Sequence, residues 1–461
     1  MEQAFPHLEW FLWQQLFGII QTGGVNVFDG LVTEETEIIE AIRRDRPNII
    51  GISVLSTSYN CALTLARTGK EVGAVIIFGN DQAAITGQKM LCARQDIDYV
   101  CTADVGEKPL VQFLEYIDGK RDIDKVHSLM YRKGNQIYHT SAQELDRRER
   151  FVLDQIAIPD RSLLPNEKYL SSYRSSYPDE EVTGTATINR FRGCARVKDP
   201  CEYCGILDLT IRTSSPKMFW DDVKAAHQSG VNRLFEAGDS VSSVPSYLEQ
   251  LVATKPEGVN WDAFVYTSAR ETTPKLAELY KRLGVFRVNM GLDSGDDSML
   301  KRLKGSRDSI EQSKNAVKLL SDAGIKIYAS FVLGGPGETP DSLQNTVRFT
   351  RWLIDERFVD GTEAQPLFPE LNARSGKMLL NAGYARERAA QGNWRIQNER
   401  LLDEMHEKWG NHENPDPEEI SRDWAAIFSE VPYDELLDAA ARIRRYSHER
   451  GILTGSSWIV M

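Results

Sequence analysis

The sequence predicts an α/β protein built from two successive series of alternating strands and helices. Short runs rich in Val, Ile and Phe, such as "PNIIGISV" and "GAVIIFG", alternate with amphipathic stretches such as "TEETEIIEAIRRDR". Strands that alternate with helices of this length form right-handed crossovers and a parallel sheet. A second series of the same kind begins near residue 185. We expect each sheet to bind ligands at the carboxyl ends of its strands.

The composition is that of a folded, acidic protein. The chain has 461 residues, 41% of them apolar, and 55 Lys and Arg against 67 Asp and Glu give a net charge of −12. This balance argues against a nucleic-acid partner, because affinity for phosphate backbones comes from cationic surface. Six cysteines are too few for a disulfide scaffold, and no signal peptide precedes them. The sequence therefore predicts a cytoplasmic protein with no membrane partner.

Four segments are predicted along the chain. They are a Rossmann-like parallel sheet domain over 1–118, a linker with a hairpin over 119–182, a partial (β/α)6 TIM-type barrel over 183–385 and a helical region over 386–461. The stretch 8–24, "LEWFLWQQLFGIIQTGG", is predicted to be a buried or half-buried helix. It is shorter than the ~20 apolar residues that a membrane span needs, and it contains polar side chains.

The barrel prediction depends on six strand candidates that follow one another with helical patterns between them. The candidates are "TATINRF", "NRLFEAG", "DAFVYTS", "FRVNMGL", "IKIYASFVLGG" and "TEAQPLF". Several of the intervening helical patterns end in Gly, which suits the left-handed conformation at a helix C-terminus. Functional residues are therefore expected at the carboxyl ends of these strands.

Three of the six cysteines, Cys194, Cys201 and Cys204, follow directly after the first of these strands. Three thiolates there can hold zinc or an iron–sulfur cluster. A tetrahedral zinc site needs a fourth ligand nearby, and the closest histidine is His227. The spacing therefore favours a [4Fe–4S] cluster with one open iron. Buried structural thiols are expected at the other three positions, which are Cys61, Cys92 and Cys101.

The segment "GCARVKDPCEYCGI" resembles the cluster loop of radical S-adenosylmethionine (SAM) enzymes. In that family three cysteines leave an open iron for the amino and carboxylate groups of SAM. The chain departs from the common pattern, because six residues rather than three separate Cys194 from Cys201. Two interpretations stay open: a longer loop around an ordinary cluster, or an unusual cluster environment with unusual chemistry.

Three further stretches, "LFEAGDSV", "VNMGLDSGDDSMLKRLKGS" and "SFVLGGPGETPDSLQNT", resemble SAM-binding strand ends of the branch that carries a cobalamin-type domain. The resemblance implies that Tyr203 packs near the adenine and that Arg270 offers a bidentate fork to the SAM carboxylate. The full set of implied SAM contacts is Tyr203, Gly238, Asp239, Arg270, Asp293, Ser294, Gly334 and Gly335. Gln365 and Asn372, near the sixth strand, are candidate substrate contacts.

The amino-terminal half resembles the cobalamin-binding domain that precedes many radical SAM cores. The resemblance implies cobalamin contacts at Ser56, Thr57, Gly79, Gly106 and Glu107. The chain lacks the Asp-x-His-x-x-Gly loop that supplies a histidine to cobalt, and "FGNDQAA" replaces the usual Gly-Gly-x-His turn. Two alternatives stay open here: the domain binds cobalamin, or it keeps the sheet without the cofactor.

The resemblance implies an enzyme that reductively cleaves SAM at a [4Fe–4S] cluster and performs a radical reaction on a small molecule in specialised biosynthesis. A reductant protein such as flavodoxin or ferredoxin is the implied partner. With cobalamin the expected result is methyl transfer, and without it isomerisation, dehydrogenation or rearrangement. Three alternatives are transfer of the 3-amino-3-carboxypropyl group of SAM, for example to arsenic, a nucleic-acid methylthiotransferase, and a non-enzymatic iron–sulfur or zinc module.

Overall fold

The computed structural model describes residues 18–21, 24–30, 32–142 and 152–454. Most of the predicted helix over 8–24 lies outside these residues. Its end is described and is a β-strand, β1 (Gly18–Gln21), so the helix prediction is wrong there. Two compact units are distinguished, and they interleave along the chain. The first comprises Met1–Arg148, Pro159–Lys168 and Lys408–Pro417, and the second Glu149–Ile158, Tyr169–Glu407 and Glu418–Met461.

Within the described residues, the first unit is a seven-stranded sheet in the order β2–β1–β3–β4–β5–β6–β7. The remaining strands are β2 (Gly24–Asn26), β3 (Ile49–Ser53), β4 (Val75–Gly79), β5 (Tyr99–Cys101), β6 (Leu129–Lys133) and β7 (Gln136–His139). The helices are α1 (Glu35–Asp45), α2 (Tyr59–Glu71), α3 (Asp81–Ala93) and α4 (Glu107–Ile117).

The three central strands confirm the predicted parallel sheet. β3 pairs with β4 and β4 with β5, all in parallel, and the apolar runs of β3 and β4 are largely buried. Strands covered by helices on both faces are expected to be almost continuously apolar. The flanking strands differ from the prediction, because β1 and β6 both pair antiparallel to their neighbours. Each also pairs antiparallel with the next strand along the chain, β1 with β2 and β6 with β7.

The second unit confirms the predicted barrel. Its parallel strands follow chain order, β8–β11–β12–β13–β14–β15–β16. They are β8 (Thr185–Ile188), β11 (Arg233–Glu236), β12 (Ala263–Thr267), β13 (Val285–Asp293), β14 (Lys326–Leu333), β15 (Gly361–Pro366) and β16 (Leu453–Thr454). The first six are the predicted strands, and the short β16 was not predicted.

The helices that cover the barrel include the predicted ones. Between the strands lie α6 (Pro216–Gln228), α7 (Pro245–Ala253), α8 (Pro274–Leu283), α9 (Asp297–Lys304), α10 (Ile310–Asp322) and α11 (Pro340–Asp355). The region after β15 contains α12 (Arg374–Leu380), α13 (Ala382–Gly392), α14 (Glu399–Trp409), α15 (Pro417–Phe428) and α16 (Tyr433–His448). The linker helix α5 is Asn166–Ser176. None of the helices in the described part of the chain is long and apolar enough to span a membrane.

A buried charge cluster closes the amino-terminal end of the barrel. Arg287, near the start of β13, is 1% exposed, and its Nη2 lies 3.0 Å from Glu180 Oε1 and 3.0 Å from Asp360 Oδ2. Glu180 also accepts hydrogen bonds from Lys326 Nζ and from the Tyr173 hydroxyl, both at 2.6 Å. The charges at this floor of the barrel are therefore paired and hydrogen-bonded, as buried charges must be.

Candidate active site

The cysteine loop emerges at the opposite, carboxyl-terminal end of the barrel. After β8 the chain forms β9 (Phe191–Arg192), which pairs antiparallel with β10 (Arg212–Thr213). The residues between these two strands, 193–211, include Cys194, Cys201 and Cys204. The two-stranded ribbon therefore closes the base of the loop and fixes where it leaves the barrel.

The start of the loop requires a glycine. Gly193 has φ +97°, and a Cβ there would overlap the carbonyl of Thr210. Its N–H donates to Oδ2 of Asp239, and the Cys194 N–H donates to the Leu209 carbonyl at 3.0 Å. Asp239, implied as a SAM contact, therefore also holds the entry of the cysteine loop.

The six-residue gap wraps around the carboxyl end of α9. Arg196 is 6% exposed, its Nη2 lies 2.5 Å from Oδ1 of Asp308, and its Nη1 donates to the carbonyl of Lys304. At the outer side of the gap, Asp199 Oδ1 lies 2.9 Å from Nη1 of Arg374. A helix end leaves carbonyls without intrahelical partners and attracts cations. Two of the three charged residues of the gap, Arg196 and Asp199, thus anchor it at both ends.

A glycine at the end of α9 lets the loop approach. Gly305 has φ +105°, and a Cβ there would overlap Oδ2 of Asp199. The Glu202 N–H donates to the Leu303 carbonyl at 2.8 Å, which satisfies another carbonyl of the same helix end. Lys304 and Gly305, at the end of the stretch "DDSMLKRLKG", therefore form the surface on which the cysteine loop rests.

Residues after β15 hold the second half of the loop. Glu202 is 1% exposed, accepts from Arg388 Nη2 at 2.7 Å, and its carbonyl accepts the Ser375 N–H at 2.9 Å. Asn372 Nδ2 donates to the carbonyl of Gly205. Asn372, predicted as a substrate contact, therefore lies against the backbone that follows Cys204.

The three thiols interact with one another electrostatically. Burial raises the pKa of Cys194, Cys201 and Cys204, and the neighbouring thiols raise those of Cys201 and Cys204 further. The Arg196 N–H and the Ile206 N–H bond to the sulfurs of Cys194 and Cys204 and oppose this rise. Such N–H···S contacts are typical of cluster-binding cysteines, whose potentials they tune.

The geometry of the three thiols suits a cluster better than a single ion. In the described ranges, no group of three or more His, Cys, Asp or Glu side chains has the geometry to hold a metal ion directly. A zinc ion needs its ligands gathered around one point, whereas the thiolates of a [4Fe–4S] cluster bind different iron atoms. Three half-buried thiols on one loop, which interact electrostatically, are a donor set that fits the cluster.

Tyr203 and Asp293 lie together beside the cysteines. The Tyr203 hydroxyl bonds to Asp293, and burial raises its pKa well above the usual range. Lys304 Nζ lies 2.5 Å from Oδ2 of Asp293. Burial alone would lower the pKa of Lys304, but the negative charges of Asp293 and Cys201 together outweigh it. Asp293 has φ +60°, a left-handed conformation that Asp adopts more readily than most non-glycine residues.

The other implied SAM contacts are spread along the same rim. Arg270 Nη1 lies 3.5 Å from Oδ2 of Asp308, which joins it to Arg196. The Gly334 N–H donates to Glu338 Oε2 at 3.2 Å. A Cβ at Gly335 would overlap the sulfur of Met299 on α9, and one at Gly238 would overlap Phe191. The Ser294 hydroxyl instead bonds to Thr346 on α11.

Sequence reasoning missed two carboxylates at the rim. Burial raises the pKa of Glu338 to about 7, although hydrogen bonds from Ser342 and Gly334 oppose the shift. Burial also raises the pKa of Glu370 to about 7, and a Cβ on Gly205 would lie 3.2 Å from its Cβ. In "GGPGE" and "LFPEL" nothing marked these residues, because their burial comes from distant segments.

The first unit has a cavity at the carboxyl ends of β3, β4 and β5. Its volume is ≈ 110 Å³, and Gly79, Gly106 and Glu107 line it together with Ser53 and Leu110. Three of the five predicted cobalamin contacts therefore share one cavity. The other two lie in the turn after β3: the Ser56 carbonyl accepts from Asn414 Nδ2, and the Thr57 hydroxyl is buried without a hydrogen-bond partner.

The cysteines of the first unit do not form a second site. Cys61 on α2 and Cys101 on β5 are half-buried, and Cys92 on α3 is exposed. The expectation of a buried thiol is wrong for Cys92. Its position at the outer end of the helix leaves its side chain in solvent.

Comparisons with known proteins agree with this geometry. Residues 188–350 match the Radical SAM superfamily. An uncharacterized methyltransferase of Pyrococcus horikoshii is 23% identical over 384 residues, which are 80% of this chain and 77% of the relative. An anaerobic magnesium-protoporphyrin IX monomethyl ester cyclase of Rubrivivax gelatinosus is also 23% identical, over 73% of this chain and 60% of the relative.

The fold is shared with a solved structure. It is the radical SAM methyltransferase TsrM of Kitasatospora setae, determined with cobalamin and a [4Fe–4S] cluster bound. Its TM-score is 0.61 at 17% identity, and the match covers 76% of this chain and 67% of TsrM.

The fold and the cysteine loop define a class of proteins that have a partial β/α barrel with a three-cysteine loop after its first strand. Residues 188–350 form a radical SAM domain, which begins within β8 and extends into α11. Enzymes of this family use a [4Fe–4S] cluster and SAM.

Proposed function

We propose that this enzyme is a transferase that uses SAM, a [4Fe–4S] cluster and cobalamin to methylate a small molecule at carbon or phosphorus. The observation that carries the proposal is that one chain has both a cluster loop on a β/α barrel and a cavity at the carboxyl edge of a Rossmann-like sheet. SAM supplies the methyl group and leaves as S-adenosylhomocysteine. The bound cofactors of TsrM and the name of the Pyrococcus relative support this assignment.

Cys194, Cys201 and Cys204 would hold the cluster. When bound, the cluster supplies an electron and an open iron to SAM. The protein contributes burial of the three thiols and N–H donors to two of the sulfurs. We assign the reductant to flavodoxin or ferredoxin, because the cluster needs an external one-electron donor.

The residues on the rim would orient SAM. Arg270 would pair with the SAM carboxylate while Asp308 holds its guanidinium from the other side. The Tyr203 ring, fixed by its hydroxyl on Asp293, would pack near the adenine. Gly334 and Gly335 leave room for a close approach to the adenosine because neither has a side chain.

Glu370 joins Gln365 and Asn372 as a candidate substrate contact. It follows β15, lies beside the cysteine loop at Gly205, and is half-buried. In the part of the chain that the structure describes, no side chain pairs with its carboxyl group. A carboxyl group held there, with a pKa of about 7, can accept from or donate to a polar group of a substrate.

In the first unit, the cavity would accept part of cobalamin. Gly79 and Gly106 leave it open, and the hydroxyls of Ser53 and Thr57 lie at the same edge of the sheet. A Cβ at Gly79 would make only an ordinary contact with Cys101, 3.9 Å away. The side chain at position 79 therefore sets the free volume of the cavity, and the backbone at this position does not require glycine.

The first experiment is a product analysis. The protein is reconstituted with iron and sulfide without oxygen, SAM, hydroxocobalamin and a reductant are added, and the SAM fragments are identified by mass spectrometry. We expect S-adenosylhomocysteine or 5′-deoxyadenosine, both dependent on the cluster. Methylthioadenosine would instead support transfer of the aminocarboxypropyl group and contradict methylation. If SAM stays intact with every reductant, the proposal that this protein is a SAM-dependent enzyme would be contradicted.

The second experiment tests the cavity. We expect Gly79→Leu to weaken hydroxocobalamin binding at least tenfold in equilibrium dialysis, because its side chain fills the cavity. Gly79→Ala is the matched control, since it adds one methyl group at the same position, and it should bind within about threefold of the wild type. Equal binding by all three proteins would contradict the assignment of cobalamin to this cavity.

The other candidate functions have less support. A methylthiotransferase carries a second cluster, and the described residues of the first unit do not bring Cys61, Cys92 and Cys101 together. If the protein were only a structural metal module, the barrel and the SAM-binding motifs at its rim would have no role. No contact of the cysteine loop favours aminocarboxypropyl transfer over methyl transfer.

A further inference from the structure

The wide cysteine gap places a cation beside the cluster ligands. Between Cys194 and Cys201 lie "ARVKDP", and the second of these residues, Arg196, turns inward. Its side chain is 5% exposed, and both ends of its guanidinium are held, one by Asp308 Oδ1 at 2.5 Å and the other by the Lys304 carbonyl. The side chain therefore has one position, fixed by two partners on and after α9.

Arg196 interacts electrostatically with the thiols. Its charge opposes the rise in the pKa of Cys194 and of Cys201, and it also interacts with Tyr203. Lys304 is the second cation at Cys201. The anions that act on these thiols are Asp293 at Cys201, and Asp239 and Glu271 at Cys194.

The remaining residues of the gap explain its length. The Asp199 N–H donates to the Arg196 carbonyl at 2.9 Å, which closes a turn, and the Asp199 carboxylate pairs with Arg374 outside the barrel. The loop therefore extends from Cys194 to the carboxyl end of α9, turns there and returns to Cys201. The six residues of the gap provide the length for this path, and Arg196 is the residue whose side chain is directed inward.

We propose that the six-residue gap serves to hold Arg196 beside the cluster, where its charge raises the cluster's reduction potential. This inference rests on the proposed function, because it requires a cluster on the three cysteines. Reduction adds one negative charge to the cluster. A cation fixed in a buried site stabilises that charge more than a hydrated one, since little water screens it. Arg196 is a positioning and electrostatic residue that does not touch the substrate.

The test is an EPR-monitored redox titration of the reconstituted protein without SAM. Arg196→Met keeps the length of the side chain and removes the charge. We expect its cluster to be about tenfold harder to reduce, a shift of about 59 mV to more negative potential for a one-electron couple. Arg196→Lys keeps the charge and should recover at least half of that shift.

Asp308→Asn provides a change of opposite sign. It removes the anion that partly offsets Arg196, so the potential should move to more positive values. Arg374→Met is the matched control, because Arg374 anchors the same gap through Asp199 but has a side chain 25% exposed and is not among the main charges that act on Cys194 and Cys201. Its potential should equal that of the wild type. Loss of folding cannot produce shifts of opposite sign.

Three outcomes would contradict the inference about Arg196. Arg196→Met with full iron content and an unchanged potential would overturn the inference and leave the proposed function intact. Equal shifts in Arg196→Met and Arg374→Met would also overturn it, because they would assign the effect to loop geometry. Wild-type protein that takes up no cluster would contradict the proposed function and the inference with it.

Discussion

Glu180 at the floor of the barrel and two carboxyl groups at its rim, Glu338 and Glu370, have pKa values shifted in opposite directions. At the floor, burial alone would raise the pKa of Glu180, but hydrogen bonds from Lys326 and Tyr173 and the charge of Arg287 hold it at about 2. Asp360, the second carboxylate at the floor, has a raised pKa, because its burial outweighs the charge of Arg287. At the rim, burial raises the pKa of Glu338 and Glu370 to about 7. Paired cations thus keep Glu180 ionised at the floor, whereas the two rim carboxyl groups can exchange protons near neutral pH. This division is what a β/α barrel with its site at the carboxyl ends requires.

The largest effect is expected at the rim, from Cys201→Ser. It removes a buried cluster ligand, so iron content and the visible absorbance of the reconstituted protein should fall to a small fraction of the wild type, and SAM cleavage should stop. Cys92→Ser is the matched control, because Cys92 is exposed on α3 in the other unit. If Cys201→Ser retained the full iron content, the assignment of the cluster to this loop would be wrong.

At the floor, Arg287→Met should destabilise the barrel by about 3–5 kcal/mol, because it removes the buried cation that lies between Glu180 and Asp360. The measurement is the free energy of unfolding in urea, followed by tryptophan fluorescence. Lys326→Met removes another cation that pairs with Glu180, but its side chain is 48% exposed. That variant should lose only about 0–1 kcal/mol. Similar losses in the two variants would show that the floor does not depend on buried pairing.

The smallest expected effect is a pH dependence of the free energy of unfolding, which comes from Glu338 at the rim. In unfolded protein a glutamate has a pKa near ~4.3. Folded Glu338 titrates at about 7, so between these values the folded state holds a proton that the unfolded state has lost. Its contribution to stability is therefore complete at low pH and decreases as the pH rises through 7, by on the order of 1–3 kcal/mol.

The measurement compares the free energy of unfolding at pH 5 and pH 8. Glu338→Gln cannot lose a proton, so its stability relative to the wild type should increase from pH 5 to pH 8. The exposed Glu430→Gln is the control and should run parallel to the wild type. Parallel curves for the wild type and Glu338→Gln would contradict the raised pKa.

Local patterns predicted the elements of both sheets. The runs that became β3, β4 and the first six barrel strands were visible because a buried parallel strand must be apolar and flanked by helical periodicity. The cysteine spacing predicted the cluster loop in the same way, since the three thiols are close in sequence. Chain direction at the sheet edge was not visible: β1 is antiparallel, and β16 joins the sheet from about 90 residues beyond β15.

By itself, the sequence determined the two-sheet architecture, the strand order of the barrel and the position of the three cysteines after its first strand, because each depends on residues that are neighbours in the chain. Only the tertiary structure decided what the wide gap does, which carboxylates are buried and how the floor is neutralised. Arg196 meets Asp308 across 112 residues, and Arg287 meets Glu180 across 107. Such pairs leave no local pattern, because the low-dielectric surroundings that make them matter exist only once the barrel has closed.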